Sequence, residues 1–160
     1  MFTANAVNIA DGLDGLAGGA LITTFLGLTI ISWAQGLISF TLLNATVVGA
    51  LIAYTYFNIK PARFQMGDVG TLGLGSLLAV NIIAMDRTIL IPIFGFIFFI
   101  EIISVIIQVF SRRLFGKRFF KMSPLHHHFE FKGWSEEKIV MRFWLVHAFM
   151  VIVGIWLALY

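Results

Sequence analysis

Side-chain amides and carboxylates recur at every third position near the start of the sequence. The stretch Asn5-Ala-Val-Asn8-Ile-Ala-Asp11-Gly-Leu-Asp14 places four such groups directly before a long apolar run. Residues three apart can share one face of a helix, but the glycines in this stretch favour a mixture of helix and turn. Capping of a membrane helix would account for one such residue. Four of them in regular spacing favour a polar site instead.

Two further segments carry groups of related chemistry. Met66-Gly67-Asp68-Val-Gly70 holds one carboxylate between glycines at the start of an apolar run. Glycine permits close approach to the backbone, and a helix N-terminus favours phosphate oxygens. Pro124-Leu-His126-His127-His128-Phe129-Glu130 holds three adjacent histidines with lysines on both sides. Adjacent side chains on a helix diverge by about 100°, so the three histidines cannot comfortably bind one ion.

The three segments together suit a magnesium-assisted phosphoryl-transfer site. Carboxylate and amide oxygens are the ligands that magnesium prefers, and histidines among cations suit a phosphate-rich anion. The chain has no cysteine, which excludes disulfides and thiolate ligands.

Membrane helices must position these segments. Of the 160 residues, 59% are hydrophobic and only 12% are charged, whereas about 45–50% of residues are apolar in a soluble domain. Runs long enough to cross the roughly 30 Å hydrocarbon core cover residues 18–34, 38–57, 70–85, 89–110 and 141–160. We therefore predict an all-α, polytopic transmembrane helical bundle of about five spans, with residues 1–160 forming a single membrane domain.

The basic residues predict which side of the membrane carries the polar segments. Ten of the eleven Lys and Arg residues fall on one side, mostly in the loops near 58–69 and 111–140, and only Arg87 falls on the other. Because short loops rich in Lys and Arg stay cytoplasmic, we expect a cytoplasmic N-terminus and an external C-terminus. The positive net charge then reflects membrane topology, and no nucleic-acid partner is expected.

The three segments resemble motifs of the phospho-N-acetylmuramoyl-pentapeptide transferases, which belong to the polyprenyl-phosphate hexosamine-1-phosphate transferase superfamily. The first two motifs are shared across the superfamily. The histidine motif, followed by Lys132-Gly-Trp134 and Arg142-Phe-Trp144, is specific to this family. The resemblance covers the whole chain but only the C-terminal half of the ten-helix enzyme.

The resemblance implies an activity and its partners. That activity is the magnesium-dependent transfer of phospho-N-acetylmuramoyl-pentapeptide from UDP-MurNAc-pentapeptide to undecaprenyl phosphate, which gives lipid I and UMP in peptidoglycan synthesis. It implies a multi-pass protein of the bacterial inner (plasma) membrane with its active site on the cytoplasmic face. The lipid bilayer, a missing N-terminal half and a second copy in a homodimer are the further implied partners.

Roles for individual residues also follow from the resemblance. Asp68 would ligate magnesium, Asp11 would be an essential carboxylate near the ion, and His126 and His127 would face the substrate as catalytic residues. The residues implied to bind substrate are Asn5, Asn8, Asp14, Asn58, Phe64 and His128, of which Asn8, Asp14 and Asn58 would belong to the nucleoside pocket.

Two departures from the family pattern leave alternatives open. Gln65 stands where the family usually has an aromatic residue that can stack on uracil, so either Phe64 takes that role or nucleoside affinity falls. The adjacent aspartate pair of an earlier family loop is absent from the chain, as expected of a truncated or split enzyme. The alternatives are a related UDP-GlcNAc polyprenyl-phosphate transferase and a non-catalytic membrane fragment that needs an N-terminal partner.

Polar residues also occur inside the predicted spans. Glu101, Ser104 and Gln108 form one stripe, which should face the bundle interior because a charge in hydrocarbon is costly. We expect this stripe to form interhelical hydrogen bonds, with Glu101 in the external half of its span and away from the catalytic face. His147 is expected to be a hydrogen-bonded packing residue.

Overall fold

The computed structural model describes residues 1–160, and all of its regular structure is helical. The five longer helices are α2 (Leu16–Ala34), α3 (Ile38–Asn58), α4 (Gly67–Ala84), α6 (Phe96–Phe115) and α8 (Glu136–Leu159). The shorter ones are α1 (Phe2–Ala10), α5 (Ile91–Phe94) and α7 (Leu125–Phe131), with a 3-10 turn at Thr88–Leu90 before α5.

Four helices, α2, α3, α4 and α8, are long and apolar enough to cross a membrane, and a broken pair supplies a fifth crossing if it is counted as one span. This confirms the predicted all-α bundle of about five spans. The predicted span at 89–110 is broken in the structure, because the segment Thr88–Phe94 meets α6 at an angle of 79°. Pro92 and Gly95 stand at this break. Proline lacks an amide donor and glycine is a weak helix former, so both favour interruption there.

Helix α2 forms the centre of the bundle. It is 67% buried along its apolar window, against 28–33% for the other three single-helix spans. Gly19 lets it approach α8 so closely that a Cβ atom there would lie 2.1 Å from the Trp144 ring. The main core cluster continues along α2 through Phe25 and Leu28 to Phe94.

Helix α1 packs along the first half of α4. A Cβ atom on Gly75 would lie 2.7 Å from Ala4 Cα, while Asn8 lies against Thr71 and Asp68 nearer the start of α4. The two helices therefore run in opposite directions. Their junction places the end of α1 beside the beginning of α4.

Some of the buried polar side chains inside the bundle form hydrogen bonds between helices. The Thr24 hydroxyl lies 2.8 Å from His147 Nε2 and donates to the Phe94 carbonyl at 2.9 Å, which confirms His147 as a hydrogen-bonded packing residue. Asn44 on α3 accepts a hydrogen bond from Asn81 on α4, and both side chains are buried. Large apolar side chains on the outer faces of α3, α4 and α8 are exposed, as in helices that face lipid or other helices.

Candidate active site

The first part of the site is the junction of α1 and α4. The side-chain amide of Asn8 donates to Asp68 Oδ1 at 2.8 Å and to Thr71 Oγ1 at 2.9 Å. The Thr71 hydroxyl in turn donates to the carbonyl of Gly67 at 3.0 Å. Asp68 is exposed in the first turn of α4, where the helix dipole favours a carboxylate. The first two motifs of the sequence thus meet directly.

The second part is the turn from α1 into α2, which carries Asp11 and Asp14. The amide of Asp11 donates to the Asn8 carbonyl at 3.3 Å and closes the last turn of α1. Gly15 has a positive φ of 82° and begins α2, a backbone conformation that glycine adopts without strain. Partial burial, and then the nearby negative charge of Asp14, raise the pKa of the Asp11 carboxyl to about 6.

The third part is α7, which bears the histidine motif and contacts this turn. His126 is 1% exposed. A Cβ atom added at Gly12 would lie 2.5 Å from Nε2 of this histidine. A side chain at position 12 would therefore displace the imidazole. The turn between α1 and α2 and the histidine motif, more than 100 residues apart in sequence, share one location.

The carboxylate of Glu101 lies directly behind His126, which overturns the expectation that this residue sits away from the catalytic face. Glu101 is fully buried, accepts from the amides of Leu125 at 2.7 Å and His126 at 3.1 Å, and lies 3.2 Å from His126 Nδ1. Helix α7 reaches Glu101 because the segment after α6 folds back along α6. Gln108 holds this return through hydrogen bonds of 2.9 Å to the amide and the carbonyl of Phe120. The stripe thus forms the expected interhelical hydrogen bonds, between Glu101 and α7, and it also bonds to the loop before α7 and within its own helix.

A network of hydrogen bonds fastens the loop between α3 and α4 to the Asp11–Asp14 turn. Asn58 accepts from the Gly15 amide at 3.0 Å and donates to the Phe64 carbonyl at 3.0 Å. The Asp14 carboxylate accepts from the Ala62 amide at 3.0 Å. Asn58 is 2% exposed, and both of its side-chain polar atoms are paired within the protein.

Glu136, at the start of α8, completes this network. Its carboxylate accepts from the Asp14 amide at 2.7 Å and pairs with Lys60 at 2.6 Å. Hydrogen bonding to Glu136 raises the pKa of the Lys60 ammonium. Sequence patterns did not indicate Glu136 or Glu101 as part of the site, because both bind backbone amides that leave no motif.

The other predicted residues lie on the rim of the site or outside it. His127 pairs through Nδ1 with Glu130 on the same helix. Burial, and then Lys132 and Lys121, lower the pKa of His128. Asn5 is exposed and donates only to the Met1 carbonyl at 3.2 Å. Phe64 is 50% exposed and packs its ring against Tyr54 at a centroid distance of 5.5 Å.

The oxygen ligands at this site fit a magnesium ion whose other ligands come mostly from substrate and water. No group of three or more acidic or histidine side chains gathers to enclose an ion. Magnesium in phosphoryl-transfer sites is bound by one or two carboxylates together with phosphates and water. Asp68 is exposed, and its Oδ1 is oriented by Asn8, so Asp68 could supply such a ligand. Asp11 lies one helical turn beyond Asn8 and could act beside it.

The family model for glycosyl transferase family 4 matches residues 1–86. The chain belongs to glycosyl transferase family 4. The matched range carries the site residues from Asn5 to Asp68, whereas α7 and Glu101 lie beyond it. The membership agrees with the superfamily to which the first two motifs point.

Curated relatives extend the similarity over almost the whole chain. The phospho-N-acetylmuramoyl-pentapeptide-transferase of Shouchella clausii (strain KSM-K16) is 44% identical over 156 residues, which cover 98% of this chain and 48% of the relative. The protein of the same name from Latilactobacillus sakei subsp. sakei (strain 23K) is 48% identical over 88% of this chain and 44% of the relative. The chain spans about half the length of the curated relatives it matches. These findings confirm the resemblance that the three motifs indicated, as a half-length match.

Proposed function

We propose that this chain acts in the magnesium-dependent transfer of phospho-N-acetylmuramoyl-pentapeptide from UDP-MurNAc-pentapeptide to undecaprenyl phosphate, with lipid I and UMP as products. The contact of Asn8 with Asp68 carries this proposal, because it brings two motifs of carboxylates and amides together, and such groups suit a magnesium ion and its phosphate ligands. The names of the relatives and the approach of His126 to Gly12 support it.

In the proposed reaction, an oxygen of the lipid phosphate attacks the β-phosphorus of the UDP substrate. The new phosphorus–oxygen bond forms as the bond from that phosphorus to the oxygen bridging it to the α-phosphate breaks, and UMP leaves with this oxygen. Asp68 would hold the magnesium ion, whose contribution is to neutralise charge on the diphosphate. Asn8 orients the Asp68 carboxylate for this task.

Asp11 is suited to proton transfer in this reaction. Its pKa of about 6 lies near the second pKa of a phosphate monoester, which is about 6. A carboxylate of this basicity can accept the remaining proton of the lipid phosphate and leave the attacking oxygen fully charged. His126 then presents its Nε2 beside the same turn, where it can bond to a group of the substrate.

The proposed function also requires the half of the relatives' structure that this chain does not match. The chain spans about half of its relatives, so we propose that its site faces the cytoplasm and is completed by an N-terminal half that supplies the aspartate pair missing here. The absent pair is the observation that favours the second candidate, a membrane half without activity of its own. A homodimer remains a prediction.

Release of UMP tests the proposal. The chain, in bilayer nanodiscs with magnesium, undecaprenyl phosphate and UDP-MurNAc-pentapeptide, is assayed alone and together with the N-terminal half of the Shouchella clausii relative. Asp68→Asn is expected to lower UMP release at least about 100-fold. Asp86→Asn, which alters an exposed aspartate at the opposite end of α4, should leave it unchanged.

Each outcome of this assay has a distinct meaning. Activity only with the added half supports the proposal that an N-terminal half completes the site, activity of the chain alone contradicts that part of it, and no activity in either case refutes the proposed function. Undiminished turnover by Asp68→Asn would refute the metal assignment. Faster release from UDP-GlcNAc than from UDP-MurNAc-pentapeptide would support the related transferase instead, against which the specific histidine motif argues.

A further inference from the structure

Two carboxylates hold histidines in this protein, and they differ in burial. Glu101 and His126 are 0% and 1% exposed, whereas Glu130 and His127 are 37% and 36% exposed on the surface of α7. Burying an ionisable pair is costly unless hydrogen bonds satisfy it. The buried pair therefore needs a function that the surface pair does not show.

The Glu101 carboxylate faces three donors with its two oxygens. The amides of Leu125 and His126, at the N-terminus of α7, lie 2.7 and 3.1 Å from it, and His126 Nδ1 lies 3.2 Å away. A carboxylate accepts only, so a proton between it and the imidazole resides on Nδ1. Neither ring nitrogen completes a hydrogen bond within the protein: Nδ1 lies beside the Glu101 carboxylate, and the opposite nitrogen is the buried Nε2. It faces the Asp11–Asp14 turn at Gly12.

We propose that Glu101 is a positioning residue, which fixes the Nδ1–H form of His126 and turns Nε2 toward the site between α1 and α7. The proposal rests on the proposed function, in which His126 faces the substrate. The hydrogen bond at one ring nitrogen sets the state of the other. Glu101 would thus act on the reaction through His126 and not by contact with substrate.

The neighbouring residue Gly12 leaves room for this arrangement. Its Cα carries no side chain, and any Cβ atom would lie 2.5 Å from Nε2 and 2.9 Å from Cε1 of the same ring. The imidazole therefore lies between the Glu101 carboxylate on one side and the backbone of Gly12 on the other. In the Nδ1–H form Nε2 is an acceptor, so a hydroxyl group of a bound substrate is the partner that it lacks.

Nitrogen-15 NMR of the histidine side chains tests the proposal without any enzymatic assay. In the full chain in nanodiscs, with signals assigned through His126→Gln and His127→Gln, we expect His126 to carry its proton on Nδ1. Glu101→Gln offers one acceptor oxygen and an amide that cannot accept, so the Nδ1–H form should lose population. An unprotonated Nδ1 in the wild-type protein would overturn the proposal even if the variant failed to fold.

Two matched variants separate positioning from general loosening of α7. Glu130→Gln removes the partner of His127, and it should change the signals of His127 and leave the tautomer of His126 unaltered. Gln108→Leu removes the bonds to Phe120, and it should loosen the same loop without moving the proton of His126. A shift of the His126 tautomer in Gln108→Leu as large as in Glu101→Gln would mean that Glu101 acts only by anchoring the loop.

Kinetics supply the second readout in whichever preparation releases UMP. Loss of a partner that orients a functional histidine typically costs about 10–100-fold in activity, and we expect Glu101→Gln to show it in kcat with KM within about threefold. Glu101→Asp should recover part of the loss. Absence of UMP release from every preparation refutes the proposed function, while the NMR result still decides the role of Glu101.

Discussion

The side-chain amide of Asn8 lies 2.8 Å from Asp68 Oδ1, although the two residues are 60 positions apart in sequence. Asn8 stands at the end of α1, and Asp68 stands in the first turn of α4. A carboxylate held in this way presents its other oxygen in a fixed direction. The contact makes the proposed metal-binding role of Asp68 depend on a residue that need not touch the metal.

Asn8→Ala is expected to weaken cation binding without unfolding the bundle. Loss of an outer partner of a metal ligand typically lowers metal affinity about 10–100-fold. Binding of Mn²⁺, which accepts the same oxygen ligands as Mg²⁺, can be followed by electron paramagnetic resonance. Asn5→Ala is the matched control, because the Asn5 amide bonds only to its own helix. Equal losses in both variants would contradict the assigned contact.

Asp11→Asn should stabilise the protein at neutral pH but not in acid. The pKa of Asp11 rises from 3.8 to about 6 on folding, so the stability linked to its protonated form is present below pH 3.8 and is lost as the pH rises through about 6. An amide at this position avoids the cost of the buried charge. Thermal unfolding at pH 4 and pH 7.5 measures the difference, with Asp86→Asn as control. A gain of equal size at both pH values would disprove this account.

Gly19→Ala should destabilise the α2–α8 contact. The added Cβ would lie 2.1 Å from the Trp144 ring, and overpacking of this kind costs about 1–3 kcal/mol. Gly49→Ala on α3 is the control, because a Cβ there meets nothing within 4 Å and alanine is favoured over glycine in helices by roughly 0.5–1 kcal/mol. Unfolding in mixed detergent micelles measures both. The prediction fails if the two variants unfold alike.

Asn58→Ala should destabilise the loop between α3 and α4. The substitution removes two hydrogen bonds, to the Gly15 amide and the Phe64 carbonyl, and leaves these groups without partners at a cost of about 1–3 kcal/mol. Amide hydrogen exchange of residues 59–66 should accelerate, whereas exchange in the middle of α2 should not. Unchanged exchange in the loop would show that Asn58 does not hold it.

The membrane helices could be predicted from hydropathy because lipid burial imposes both length and composition on a span. The runs at 18–34 and 38–57 correspond closely to α2 and α3. The 79° break before α6 could not be predicted in this way, since a sum of hydropathies contains no direction. Pro92 was the available signal for this break, whereas the misplacement of Glu101 came from the return of the chain along α6, which hydropathy does not describe.

The site could be predicted only in part. Asn8, Asp68 and His126 stand in compact motifs, and the side of the membrane assigned to their loops already implied that they could meet. Glu101 and Glu136 were missed because their partners are backbone amides 24 and 122 residues away. Such contacts depend on the path of the chain between the elements, which residue types do not specify.

The position of Glu136 at the start of the last helix bears on when the site can form during synthesis. Its carboxylate holds the Asp14 amide and Lys60, and further along the same helix Trp144 and His147 contact α2. A nascent chain that has not yet released α8 from the ribosome lacks all of these fastenings. The contacts of the Asp11–Asp14 turn with Glu136 and of α2 with Trp144 and His147 therefore form only after α8 has been synthesised.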